Sequence, residues 1–362
     1  MSNQAEKNCR LGVVGGQAVL DGVMMKHEDH IGIAVRRENG EIAVEESTFV
    51  SKRQKVKFFN LPIIRGVVNM IEMLSLSVKT LNKSAEMSGI EEELQESKFE
   101  KWMKKHFGKG ILDIVMFIAT ILGIALSLFL FVFLPSFLTS LIEDLAGVTL
   151  GGWKNIIEGF MKIFIFIGYL CLCLLMKDIR TTFRYHGAEH KTIFCYEAGE
   201  ELTPENVKKY KRFHPRCGTS FMFVIILISI AIAFLPIFPW ENKLLRFAVK
   251  LAFLPLLVGL SFEFIRFAGK HDNIFTRILS APGLWMQRIT TKEPTLEQIE
   301  VAIHALKCSM PDEFPDYVKP TLTQEAEDSS EVSEETAAEQ SEETPVASEE
   351  TAEPTDSAND AN

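Results

Sequence analysis

Between residues 114 and 142 the chain runs for 29 residues without a charged side chain. A helix needs only about 20 such residues to cross a hydrocarbon layer roughly 30 Å thick. This stretch alone therefore constrains the chain to a membrane-embedded helical class. Three more segments follow the same logic. Residues 156–176 hold Glu158 and Lys162 in the favourable i,i+4 order near one end. Residues 221–239 are apolar throughout. Residues 244–265 are less clean, with Arg246 and Lys250 near one end, Glu263 near the other and Pro255 between them. A kink is expected at Pro255. A charge facing lipid costs on the order of 3 kcal/mol, so these residues require closely packed neighbours. The expected architecture is a mainly α membrane fold, a four-span bundle with spans at 111–142, 156–176, 221–239 and 244–265.

Orientation follows from basic residues beside each span. Lys98, Lys101, Lys104, Lys105 and Lys109 precede the first span, and only Lys154 separates the first two. The loop from Lys177 to Cys217 holds nine Lys or Arg, whereas Lys243 stands between the third and fourth spans. Arg266, Lys270, Arg277, Arg288 and Lys292 follow the fourth. Both termini are thus expected in the cytoplasm of a multi-pass plasma-membrane protein. The opening MSNQAEKNCR has no apolar core of a secretory signal and fits that placement. Six scattered cysteines lack the density of a disulfide framework and read as reduced thiols.

Residues 1–60 are expected to form a small cytoplasmic β unit, because IGIAVR and EIAVEESTFV flank Glu38-Asn39-Gly40, a strong hairpin signal. Upstream, GGQAVLDGVMM suits a tight turn or close backbone contact. It lacks the spacing of a phosphate-binding loop. Residues 61–110 read as amphipathic helices. In the first of these Arg65, Asn69, Glu72, Ser75 and Lys79 form one polar stripe on an otherwise apolar surface, which suits the headgroup region or the underside of the spans better than a fifth crossing. In the segment 266–312, Thr295 to Gln298 form a capping box before a docking helix with Leu296, Ile299, Ile303 and Leu306 at helical spacing. Residues 313–362 are expected to be a disordered acidic tail. From Thr321 onward there are fourteen Asp or Glu and no Lys or Arg, which accounts for the overall net charge of −10. The tail is a candidate arm for protein partners.

The chemistry-bearing loop lies at 177–220. In RYHGAEHK, His186 and His190 stand four residues apart and share a helical face, and Glu189 completes HxxEH, the inverted zinc-peptidase pattern in which the carboxylate is the general base. Gly187 within it is a poor helix former. At the loop's other end, HPRCGTS brings His214 and Cys217 back to the same membrane face, because the second and third spans form an antiparallel pair. Thr203-Pro204 starts a short helix that folds the loop back. Glu263 is a candidate third ligand, weighed against an interfacial ion pair with Arg266. The candidate site is therefore Glu189 as base, with His186, His190, His214, Cys217 and Glu263 around a divalent metal of zinc type. Headgroup contacts by His and a buried, inert Cys217 are the bland alternative.

Several long segments in fixed order, GGQAVLDGVMM, NLPIIRGVVN, YHGAEHKTIFCYE, HPRCGTSF, FEFIRFAGK and APGLWMQRITTKEPTLEQIEVA, resemble the YqhQ-like bacterial membrane family of unknown function, over roughly residues 9–308. Members are commonly labelled predicted metal-dependent enzymes. The resemblance extends that expectation to His186, Glu189, His190, His214 and Cys217 and supplies no substrate. Two functional classes stay open: a metal-dependent hydrolase at the cytoplasmic membrane face, and a non-catalytic scaffold or transport accessory with a structural polar cluster. The expected partners are the lipid bilayer and a second copy of the chain, with no nucleic acid. A transporter has less support, since four spans make a thin pathway unless the protein oligomerises.

Overall fold

The computed structural model describes residues 10–89, 111–151, 153–233, 243–270 and 274–320. The acidic tail from 321, the basic flank of the first span and the far end of the third span lie outside them.

The first described segment is a four-stranded antiparallel meander in the order β1 (Val14–Val19), β2 (Gly22–His27), β3 (His30–Arg36) and β4 (Ile42–Thr48). The Asn-Gly signal sits where expected, in the turn joining Arg36 to its partner Ile42, with Gly40 at φ 90°. Two further hairpins come from GGQAVLDGVMM and its continuation. Val19 pairs with Gly22 across Leu20-Asp21, and His27 pairs with His30 across Glu28-Asp29. Asp21 and Glu28 adopt positive φ there, as two-residue hairpin turns require. Gly22 is needed because a side chain would collide with the backbone of Ala34 and Val35.

The helices are α1 (Lys52–Lys55), α2 (Ile64–Met87), α3 (Ile111–Leu128), α4 (Leu134–Ala146), α5 (Trp153–Cys173), α6 (Lys177–Ala198), α7 (Pro204–Lys208), α8 (Gly218–Ala233), α9 (Lys243–Ala252), α10 (Leu254–Lys270), α11 (Ile274–Thr290) and α12 (Leu296–Cys308). A π turn at Phe129–Phe133 joins α3 to α4 without interrupting the helical path.

The sheet buries one face on α6 and α12. Thr295 caps α12 with the reciprocal Gln298 contact, and Ile299, Ile303 and Leu306 enter the core, whereas Leu296 stays exposed. No side chain separates β3 from α12 at Gly32, since a Cβ there would strike the carbonyl of Ala305. Helix α6 is buried over Gly187 to Ile193 and again over Cys195 to Glu197. It is a central element walled by the sheet, α12 and the returning loop, which Thr203 and Pro204 fold back by starting α7.

Two of the four expected spans meet the length and hydropathy of a membrane crossing. Among the described residues two stretches are long and apolar enough to cross a membrane, Thr120–Ala146 with mean hydropathy 2.5 and Trp153–Cys173 with 2.0. The described part of the expected third span lies in α8, and residues 234–239 of that expectation fall outside the described residues. The expected fourth is broken: α9 ends at Ala252 and α10 starts at Leu254. Pro255 has no N–H to donate and its ring crowds the carbonyl four residues earlier, which ends one helix and seeds the next. Two charged residues of this segment, Lys250 and Glu263, have ion-pair partners. Lys250 of α9 pairs with Glu158 of α5, to which Lys162 also reaches at 3.8 Å.

Helix α2 is amphipathic and packs one face on the sheet and α10. Its buried residues are Gly66, Glu72, Leu76, Thr80, Ser84 and Met87, while Ile71, Leu74, Val78 and Leu81 are exposed. Three of its polar groups point inward because the sheet presents polar partners, while Ser75 and Lys79 stay exposed: Gln17 bonds Thr80 and Ser77, and the Leu20 N–H donates to Ser84 Oγ at 3.2 Å.

Candidate metal centre

Helix α6 places His186 and His190 one turn apart, with ring centroids 4.4 Å from each other. The chain then returns through α7 and sets Cys217 at the start of α8. Ligand atoms of His186, His190 and Cys217 all lie within 4.8 Å of one another. Cys217 Sγ is 3.2 Å from His186 Nε2 and 3.2 Å from Thr219 Oγ1.

Each imidazole is oriented from behind by a backbone carbonyl. His186 Nδ1 meets the Thr290 carbonyl at 2.9 Å, and His190 Nδ1 meets the Arg212 carbonyl at 2.5 Å. A carbonyl can only accept, so both Nδ1 atoms carry the proton and both Nε2 atoms present a lone pair. This is the outer-shell arrangement that fixes metal-binding histidines. His190 Nε2 is buried with no hydrogen-bond partner, and so is Glu189 Oε2. An orphaned imidazole lone pair beside a second imidazole and a thiol fits a borderline cation such as zinc.

Glu189 stands beside this trio rather than within it. Its Cγ would lie 3.1 Å from a Cβ placed on Gly16, whose bareness lets β1 approach the helix. Burial pushes its carboxyl up to about 7, with His186 partly opposing that rise. Residues that sequence motifs could not nominate complete the frame. Gln287 of α11 accepts from the His214 N–H at 2.7 Å and donates to its carbonyl at 2.8 Å, pinning the turn that precedes Cys217. An isolated amide in an apolar helix is a signal for Gln287. The Thr290 and Arg212 carbonyls, being backbone atoms, leave no signature in residue type.

His214 and Glu263 are not brought into the trio. The His214 ring stacks between Phe194 and His190, at 4.6 and 5.4 Å, and its Nδ1 accepts from the Arg216 N–H at 3.3 Å. Burial, then the neighbouring His190, Arg216 and His186, push it down to about 2, so it is a neutral wall of the site. Glu263 lies elsewhere, on α10, where both carboxylate oxygens receive the Arg65 guanidinium of α2 and Oε1 also accepts from the Ile63 N–H at 3.4 Å. Its partner is Arg65 rather than Arg266, because α2 packs against α10 through Gly66, where a Cβ would crowd Phe262 and Gly259.

Comparison with known proteins gives the same family as the sequence segments. The chain is 34% identical over 296 residues to the uncharacterized protein YqhQ of Bacillus subtilis (strain 168), a match spanning 80% of this chain and 90% of that protein. No solved structure matches. A family model described as a protein of unknown function, DUF1385, matches residues 61–312, which cover every helix from α2 to α12 and all of the trio, so the chain belongs to the DUF1385 family.

Proposed function

We propose that this chain is a multi-pass plasma-membrane protein with both termini in the cytoplasm, holding a divalent metal of zinc type through His186, His190 and Cys217 and using it for hydrolysis. The observation that carries the metal reading is the buried, unpartnered Nε2 of His190, on a residue whose ligand atom lies within 4.8 Å of those of His186 and Cys217. Leaving a polar atom buried without a partner costs about 1–3 kcal/mol, which a bound cation offsets.

The membrane reading is supported by what the two long apolar helices do with their side chains. Only 6% and 22% of their most apolar windows is buried, and Leu122, Ile124 and Leu126 are each more than half exposed. A core helix of a water-soluble protein does the opposite, since each such side chain left in water forfeits about 1.5–3 kcal/mol. The basic loop 177–217 supports the orientation.

When bound, the ion supplies Lewis acidity. His186, His190 and Cys217 would hold it with three protein donors, fewer than the four of a closed structural site, which favours a catalytic role. Glu189 would take a proton at its unpartnered Oε2 from the attacking water as that oxygen bonds to the substrate, and return it to the leaving group as the bond to that group breaks. His214, neutral and walled in by Phe194, keeps water from the back of the trio.

Glu189→Gln tests the catalytic part, because it preserves shape and leaves all three ligands. The metal content should be unchanged while complementation of a deletion strain falls, as expected for loss of a general base worth on the order of 10²–10⁴-fold in rate. One observation favours the scaffold reading instead: His186 Nε2 and Cys217 Sγ already satisfy each other at 3.2 Å. Full complementation by Glu189→Gln would support the scaffold and remove the hydrolase.

A further inference from the structure

We infer that the basic segment 52–57 and the outward face of α2 form one docking surface for the anionic headgroup layer of a phospholipid bilayer. From residue 49 to 71 the chain carries Lys52, Arg53, Lys55, Lys57 and Arg65 and no Asp or Glu. Lys52, Lys55 and Lys57 are exposed, and the apolar Val56 and Phe58 between and beyond them are exposed as well, at 43% and 59%. Ile71, Leu74, Val78 and Leu81 recur at helical spacing on α2, all exposed.

Two contacts make these a single surface. Glu72 accepts from Ser51 Oγ and from the Lys52 N–H, each at 2.7 Å, which ties the basic segment along the helix. The start of α2 is locked to α10 by the Arg65–Glu263 pair and by the close approach of Gly66 to Gly259 and Phe262, so the surface is continuous with the apolar helices.

The chemistry selects the occupant. A helix face on which Ile71, Leu74, Val78 and Leu81 are exposed beside Ser75 and Lys79, preceded by a lysine segment with no acidic residue of its own, matches the boundary between acyl chains and headgroups. Each Lys near an anionic leaflet adds to the attraction, and the cytoplasmic leaflet is the anionic one. A protein groove would satisfy the apolar face and leave the lysines without a counterpart.

This inference rests on the membrane reading above, and its test separates the two. The full chain, purified in detergent and stripped of lipid, is titrated with phosphatidylglycerol or phosphatidylcholine and the retained lipid counted by native mass spectrometry, alongside carbonate extraction of membranes. The wild type should prefer phosphatidylglycerol, and Lys52→Gln/Lys55→Gln/Lys57→Gln should lose that preference by about tenfold or more with unchanged melting temperature. Leu74→Ser/Val78→Ser should weaken retention of both lipids, and millimolar inorganic phosphate should displace neither. Carbonate-resistant protein whose lysine variant keeps the full preference would overturn the inference and leave the membrane reading standing. Release by carbonate with the preference intact would do the reverse. Loss of a dimer in the Leu74→Ser/Val78→Ser variant, with lipid retention unaltered, would assign the face to a second copy and overturn the docking surface.

Discussion

Replacing His186 and His190 together by alanine is expected to take bound metal from about one ion per chain to none, as counted by elemental analysis of the purified protein. The magnitude follows from what is removed. Losing an outer-shell partner of a metal-binding histidine costs on the order of 10–100-fold in affinity, and here two of three direct donors disappear at once. Both histidines sit on one face of α6, on successive turns, and the helix is anchored by Tyr185, Ile193 and Tyr196 in the core. The fold should therefore survive, apart from whatever stability the ion itself contributes by binding only the native state. Unchanged metal in the double variant would mean that the ion is held elsewhere.

Gly187→Ala is the second large effect, and its sign opposes helix propensity. In an exposed helix the change would stabilise by roughly 0.5–1 kcal/mol. Here a methyl group at 187 would collide with the Lys292 carbonyl and come within 3.4 Å of Pro294 Cδ. The Lys292 N–H in turn donates to the Phe183 carbonyl at 2.8 Å, so the segment after α11 is stitched to α6 on both sides of the glycine. Forcing them apart should cost about 1–3 kcal/mol and lower the melting temperature. It should also lower metal occupancy, because the Thr290 carbonyl that orients His186 belongs to the displaced segment. Gly168→Ala is the matched control: nothing lies within 4 Å of that position, and its melting temperature should hold or rise. A Gly187→Ala protein as stable as that control would contradict the close packing.

Gly187 also marks how far the sequence could be read. Its low helix propensity counts against a helical HxxEH, yet tertiary contact decides, and the glycine is there to admit another backbone. The Asn-Gly hairpin, the capping box at Thr295 and the Thr203-Pro204 helix start were legible because each is a local device whose partners lie within a few residues. The joining of Cys217 to the histidine pair was legible for a topological reason: an antiparallel pair of apolar helices returns the chain to its starting face. What was not legible required knowing a distant partner. Glu263 looked like a ligand until Arg65, almost 200 residues away, took both its oxygens. The polar stripe on α2 gave no sign of a second polar set, Ser77, Thr80 and Ser84, whose partners Gln17 and the β1–β2 turn lie about 60 residues away. The break between α9 and α10 was legible too, because Pro255 announces it in the residue type itself.

The central claim is that one ion is shared by two imidazoles and one thiolate. X-ray absorption at the metal edge of the purified full chain measures that ligand set directly. The expected spectrum contains one sulfur scatterer at about 2.3 Å and imidazole nitrogens at about 2.0–2.1 Å, with the sulfur lost in Cys217→Ser. A metal-free protein, or an ion with only oxygen and nitrogen neighbours that ignores Cys217→Ser, would contradict it.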